Sequence, residues 1–251
     1  MCGRFASTTV PQDLVEVFGV EQWDPTETLA PSWNVAPTDP AFVVLDRAPK
    51  GGGAPVRQLR VLRWGLVPAW SKSPESAVKM INARADTVHE KPSYRQAFAS
   101  RRCLLPVDGY YEWETIPGEK GKPRKQPYFV HRADGTALAL AGLYEFWRDR
   151  RFPAEHPEAW LVTCTVVTTD AEPALAPIHH RMPLFLDPSA FDAWLDPARA
   201  DPDELRGLLV PPPPGALLAR PIGPAVGNIR NNSPALLRPL SEIEPDDSTL
   251  F

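Results

Sequence analysis

The second residue carries the most unusual chemistry this chain can offer. Cys2 follows Met1 and precedes Gly3-Arg4-Phe5. Methionine before a small residue such as cysteine is normally trimmed, which would leave an α-amine and a thiol on one carbon frame. The amine titrates near ~7.7–8.0 and the thiol near ~8.5, so both are partly deprotonated at neutrality. Such a 1,2-aminothiol condenses with an aldehyde to an imine, and its sulfur then closes a five-membered thiazolidine ring. The same thiolate could instead attack an amide with the amine as base, as in N-terminal-nucleophile hydrolases. On position alone, a cysteine at a terminus is more often an accident that frays in solvent.

Four other groups could work with it. Asn82-Ala83-Arg84-Ala85-Asp86 offers an amide that both donates and accepts, and a planar guanidinium suited to phosphate. A structural turn with a surface arginine explains it equally well. Trp64-Gly65-Leu66-Val67-Pro68-Ala69-Trp70 holds two tryptophans around Gly and Pro. Aromatic faces beside positive charge suit base stacking, although core packing is the commoner fate of tryptophan. By residue type Trp64 goes to the core, and Trp70 stays open. Glu112 lies in Gly109-Tyr110-Tyr111-Glu112-Trp113-Glu114. Strand alternation puts Tyr110, Glu112 and Glu114 on one face, so Glu112 is either an acid–base group among aromatics or an edge carboxylate in an ion pair. His179-His180-Arg181-Met182-Pro183 has no ligand partner at metal spacing, and a proton-transfer group is its functional reading. Cys103 and Cys164 read as buried structural thiols.

Composition limits the surroundings of these groups. The 251 residues suffice for a full core, and 43% hydrophobic with 23% charged residues is a globular composition. The 31 prolines are more than twice the ~5% background, which argues for many short elements and against long helices. No stretch approaches the roughly 18 apolar residues of a membrane span, and no signal peptide is visible, so a cytoplasmic location is expected, nucleoid-associated when bound to DNA. Three distant cysteines argue against a disulfide framework or a CxxC metal site. The net charge is −4, yet residues 57–102 hold ten Lys/Arg against Glu75, Asp86 and Glu90. That local +7 predicts a basic groove on an acidic body, or a solvated face with scattered charge.

The elements that must position these groups are short. A helix is expected from Pro11, with Leu14, Val15 and Phe18 on its apolar face. Strands are expected at 42–45, 57–67, 103–113, 128–131, 138–143 and 160–168. Short helices are expected at 93–98, 188–195 and 201–209. Loops with three glycines near 51–53 and a polar run at 115–126 separate them. No βαβ alternation is present. The pattern predicts an α+β fold, with curved mixed or antiparallel sheets forming a barrel-like core and short flanking helices. One domain is expected over 1–240, followed by an acidic, flexible tail at 241–251.

Taken in order, Met1 to Phe5, Pro31-Ser32-Trp33-Asn34-Val35-Ala36-Pro37, Trp64 to Trp70, Asn82 to Asp86, Arg102 to Glu114, Ala141-Gly142-Leu143-Tyr144-Glu145 and His179 to Pro183 span nearly the whole chain. This ordered set resembles the SOS-response-associated peptidase family, whose members shield abasic sites in DNA. The resemblance implies that Cys2 forms a thiazolidine with a ring-opened abasic deoxyribose. Asn82 and Arg84 would hold the abasic nucleotide and its phosphate. Glu112 would be the acid–base group, and His179 would assist proton transfer and reversal. Arg4, Trp64 and Pro68 to Trp70 would belong to the DNA channel and the surface that splays the strands. Asp86 stands where the family often has Glu, and His180 where it often has Asp. The expected partner is single-stranded DNA with abasic sites, bound by a monomer using neither metal nor organic cofactor. An N-terminal-nucleophile peptidase, autoprocessing included, and a noncovalent single-strand-binding module are the competing expectations.

Overall fold

The computed structural model describes residues 2–49, 51–118 and 121–243. In chain order the elements are β1 (Phe5–Ser7), α1 (Pro11–Phe18), β2 (Gln22–Trp23), β3 (Ser32–Val35), β4 (Pro40–Arg47), β5 (Val56–Trp64), β6 (Asn82–Arg84), α2 (Arg95–Ser100), β7 (Arg102–Val107), β8 (Gly109–Ile116), β9 (Arg124–Arg132), β10 (Leu138–Arg148), β11 (Trp160–Asp170), β12 (Arg181–Pro183), α3 (Phe191–Leu195), α4 (Pro202–Gly207) and β13 (Leu217–Pro221). The larger sheet runs β12-β11-β10-β7-β4-β5-β2. Parallel pairing of β5 with β11, Thr163 opposite Arg63 and Cys164 opposite Trp64, closes five of its strands into a barrel. A second sheet, β13-β9-β8-β1-β3, packs beside it. The fold is α+β with a barrel core and short helices, as the pattern of elements predicts. No described helix is long and apolar enough to cross a membrane.

Period-two alternation sorts the barrel side chains between two cores. Val43, Leu62, Trp64, Cys103, Leu105, Leu140 and Val166 face the second sheet, where they meet Phe5, Tyr110, Val130 and Cys2. Phe42, Val44, Leu59, Leu104, Ala141 and Val167 face the other way and pack beneath the helices with Phe98 and Trp194.

Two expected strands are shorter than the hydrophobic pattern suggests. The run 57–67 stops at Trp64 because Gly65 turns with φ +115°, and a Cβ there would lie 2.5 Å from the Ala77 carbonyl oxygen. Gly65 N–H donates to Cys164 O at 2.8 Å, which ties the turn to β11. The run 103–113 is two strands in different sheets. It breaks at Asp108, whose carboxylate accepts from Thr8 N (2.7 Å) and Thr9 Oγ1 (2.9 Å) while its own N–H donates to Ala6 O. That corner carries the chain from the barrel into the sheet that holds β1, and so brings Glu112 toward Cys2. At the other end, Leu240–Glu242 form a 3-10 turn and Pro239 bridges Ile222. Most of the expected tail, from residue 244, lies outside the described residues.

Candidate active site

Cys2 does not fray. It is fully buried in the core between the barrel and the second sheet. β1 pairs Phe5 with Tyr110 of β8 and with Val35 of β3, which pulls the first residues of the chain inward. Asn82 Nδ2 donates to Cys2 O at 2.8 Å. Asn82 is itself fixed, because β6 runs parallel to β11 with Asn82 opposite Val166, and Tyr94 Oη donates to Asn82 O at 3.2 Å. The Cys2 thiol lies 3.7 Å from Arg4 O. Burial first, and then the charge of Glu112, push its pKa well above the ordinary thiol range. Asn82 Oδ1 is buried and has no hydrogen-bond partner among the described residues. An acceptor left over beside Cys2 is ready for an N–H or O–H donor that joins the site.

Glu112 is buried on β8, on the face it shares with Tyr110. Desolvation raises its pKa above the usual carboxylate value. A cavity of about 10 Å³, roughly one water-sized centre, separates it from His179, with Tyr110, Val130, Leu175, Ile178 and Arg181 as the remaining lining. His179 is the histidine that faces this cavity, whereas His180 is exposed and stacks on it with centroids 4.4 Å apart. His179 Nδ1 accepts from Arg181 N–H at 2.9 Å, with Arg181 O at 3.2 Å. Burial lowers the His179 pKa, so the ring is neutral at pH 7. Arg181 holds this corner through Thr168 O at 2.8 Å and Asp170 at 3.2 Å. A thiol, a carboxylate with a raised pKa and a neutral imidazole therefore meet at one end of one core.

The predicted nucleic-acid residues divide. Arg84 is exposed and paired through two hydrogen bonds with Asp86. Asp86 thus orients Arg84, and its place two residues away was the available signal. Trp70 is exposed. Trp64 is fully buried in the core, with its indole N–H on Ile81 O at 3.0 Å. Pro68 is buried as well and offers no surface to a strand. Arg4 is half-buried and donates to Asn34 Oδ1 (2.8 Å) and Val226 O (2.9 Å), where it braces the β1–β3 edge. Part of the expected basic segment is paired internally. Arg57 pairs with Asp46 and Asp192, Arg60 with Glu27 and Arg101 with Glu145, and buried Arg102 donates to the carbonyls of Phe98, Trp194, Asp196 and Arg199. Half of the ten cations are therefore committed within the protein. Tyr94, which secures Asn82, carried no sequence signal that set it apart from a core tyrosine.

Comparison with known proteins places this arrangement. The family model described as SOS response associated peptidase (SRAP) matches residues 1–229. The chain belongs to the SRAP family. Among SRAP relatives, the abasic site processing protein YoqW of Bacillus subtilis is 36% identical over 237 residues, covering 94% of this chain and 99% of the relative. The abasic site processing protein HMCES of Xenopus tropicalis is 30% identical over 269 residues, covering 93% of this chain and 77% of the relative. A crystal structure of a protein from Bacteroides thetaiotaomicron superposes with a TM-score of 0.78 at 25% identity, covering 95% of this chain and 99% of that one.

Proposed function

We propose that this SRAP protein acts on abasic sites in the response to DNA damage. Once Met1 is gone, Cys2 would capture the lesion in single-stranded DNA as a covalent thiazolidine. The names of its relatives support the lesion. The observation that carries the chemistry is the anchoring of Cys2 by Asn82 in the same buried core as Glu112. An aminothiol held by its own carbonyl beside a carboxylate is positioned for condensation, and not merely reactive.

The steps follow from the groups present. An abasic sugar cannot stack, so it turns into a pocket at little cost. Glu112 accepts a proton from the Cys2 α-ammonium, and the free amine adds to C1′ of the ring-opened aldehyde. Loss of water gives the imine. The Cys2 sulfur then bonds C1′ while its proton passes to nitrogen, so aldehyde and aminothiol yield thiazolidine and water. His179 is placed to hold the sugar hydroxyl freed from the ring, and the unused Asn82 Oδ1 accepts from the sugar or the amine. Arg84 engages a flanking phosphate, Trp70 offers a stacking face, and the protein acts as a monomer.

A denaturing gel tests the proposal. Protein with processed Cys2 should shift an oligonucleotide carrying one abasic site, and Cys2→Ala or a retained N-terminal extension should abolish the shift. A shift that survives Cys2→Ala rejects the mechanism. Multiple-turnover cleavage of peptides without any DNA adduct would favour the amidohydrolase alternative.

A further inference from the structure

Two buried polar groups take no part in the chemistry above. The first is Glu172, which follows β11 and begins the turn that carries His179. Leu175 N–H and Ala176 N–H both donate to Glu172 O at 3.0 Å, and His179 N–H donates to Leu175 O at 3.1 Å. Ala171 N–H donates to His180 O at 3.0 Å and closes the base of this loop. Glu172 is only 7% exposed. Its Oε2 accepts from Gly215 N–H at 3.0 Å. Its Oε1 is buried and has no hydrogen-bond partner among the described residues. A carboxylate oxygen so placed is costly unless a donor reaches it.

The second group is the Tyr110 hydroxyl. The Tyr110 ring is 1% exposed and packs in the core that holds Cys2, Phe5, Val130 and Leu175. A phenylalanine would fill that space equally. The hydroxyl makes no hydrogen bond among the described residues, so packing alone does not account for it. Phe5 of β1 stands opposite Tyr110, and strand alternation puts Tyr110 on the face of Glu112. Tyr110, Glu112 and Leu175 line the same small cavity. Burial first, and then the charges of Cys2, Glu112 and Glu172, push the phenol pKa well above its ordinary value. The hydroxyl therefore lies within electrostatic reach of the thiol and of both carboxylates. A phenol that stays protonated is no base by itself. It can still relay a proton, taking one on its oxygen as it gives one up.

Ring closure needs such a relay. One proton must leave sulfur and one must reach nitrogen. Direct passage between them, while sulfur attacks the carbon bonded to that nitrogen, would require a strained four-membered arrangement. Glu112 already holds the ammonium proton at this stage, so it can serve nitrogen but cannot also receive from sulfur. We propose that Tyr110 and Glu172 form a second proton-transfer pair, which draws the proton from the Cys2 thiol during ring closure while Glu112 serves the amine. The inference rests on the thiazolidine reading above and assigns the half of it that Glu112 leaves open. The thiol proton passes to Tyr110 Oη as the phenol proton passes to Glu172 Oε1. The sulfur electron pair forms the bond to C1′, the π pair of the imine moves to nitrogen, and protonated Glu112 gives nitrogen a proton. The sum is unchanged: sulfur loses one proton, nitrogen gains one, and the proton first shed by the ammonium is balanced by the one on Glu172. Tyr110 acts on a reacting atom, and Glu172 is a positioning residue that acts through it.

Single-turnover crosslinking of an oligonucleotide carrying one abasic site, read on denaturing gels with and without cyanoborohydride, tests the pair. The reductant fixes an open imine as a stable amine and leaves a closed thiazolidine alone. Tyr110→Phe keeps the ring and loses only the oxygen. Glu172→Gln keeps an acceptor for Gly215 N–H but cannot take a proton. In both variants the adduct formed without reductant should appear ~10²- to 10⁴-fold more slowly, the range for one proton-transfer group, while the adduct fixed by cyanoborohydride should form within about threefold of the parent rate. Strand scission by β-elimination from the waiting imine should rise in parallel. Glu112→Gln, by contrast, should slow both adducts. Tyr110 and Glu172 variants that close the ring as fast as the parent overturn the proposal. Loss of both adducts together in these variants also overturns it, and marks the two residues as packing groups. A parent that forms no adduct on either gel removes the Cys2 mechanism and the pair with it, whereas a parent that crosslinks beside variants that do the same removes the pair alone.

Discussion

Replacing Glu112 by Gln isolates the one property that the proposed chemistry needs from this residue. Glutamine keeps the volume and can still hydrogen-bond, but it cannot take a proton from the Cys2 ammonium. General-base assistance is worth ~10²–10⁴ in rate, or about 3–5 kcal/mol of barrier. Glu112→Gln should therefore slow single-turnover crosslinking at pH 7 by that factor, while affinity for an intact strand stays within about twofold. The pH dependence separates this from a packing defect. Desolvation raises the Glu112 pKa above 4.5. In the parent, the crosslinking rate should rise with pH as Glu112 ionises, with a midpoint above 4.5, and in the variant this limb should vanish. His179 titrates below its ordinary value and is already neutral at pH 7. Stability follows the same sign. A raised folded-state pKa gives a contribution that is full below the unfolded value and is lost as pH rises through the folded one. The variant should therefore melt at or above the parent at pH 7, by ~2–4 °C for each kcal/mol, with the advantage shrinking toward pH 4. A variant that crosslinks within about threefold of the parent at pH 7 refutes the base assignment. One that loses DNA affinity and melting temperature together shows a structural carboxylate instead.

Three further substitutions probe the surroundings. Asn82→Ala removes the 2.8 Å bond to Cys2 O; leaving that carbonyl unsatisfied should cost about 1–3 kcal/mol in thermal melts and slow crosslinking ~10- to 100-fold, and Asn82→Asp, which lacks the donor, should not rescue it. Asp86→Asn releases Arg84 from its exposed pair; such pairs are weak, so affinity for single-stranded DNA should rise only a few-fold, up to ~5-fold at low salt, with a salt slope steeper by about 0.7. Gly65→Ala forces a side chain into φ +115° and against the Ala77 carbonyl; a loss of at least about 2 kcal/mol should lower the melting temperature by ~4 °C or more, and an unchanged melting curve would contradict the turn assigned to this position.

What could be read from the residues, and what could not, divides by the range of the interactions involved. Helix α1 and the alternating strands declare themselves because period and capping are local. The break at Asp108 does not, since its cause is Thr8 and Thr9, about a hundred residues earlier. The charge excess of residues 57–102 is reduced for the same reason. The carboxylates that neutralise Arg57, Arg60 and Arg101 are Asp46, Asp192, Glu27 and Glu145, all outside that window. A linear count of charge measures what a segment contributes, and a groove depends on what remains after tertiary pairing. The two tryptophans make the point within seven residues. Gly65 ends β5 so abruptly that Trp64 points into the core and Trp70 emerges on the loop that follows. Cys2 is the converse case. Its chemistry is legible from its position, but its selectivity is not. An N-terminal aminothiol in water would react with any aldehyde, whereas Cys2 lies under the two sheets, held by an amide eighty residues away and close enough to Glu112 to feel its charge. Burial raises the pKa of both groups, and for the thiol this favours the protonated, unreactive form. In the proposed reaction, only a partner that brings an aldehyde and opens the pocket together would start the chemistry, and an unstacked abasic nucleotide on a flexible strand would meet both requirements.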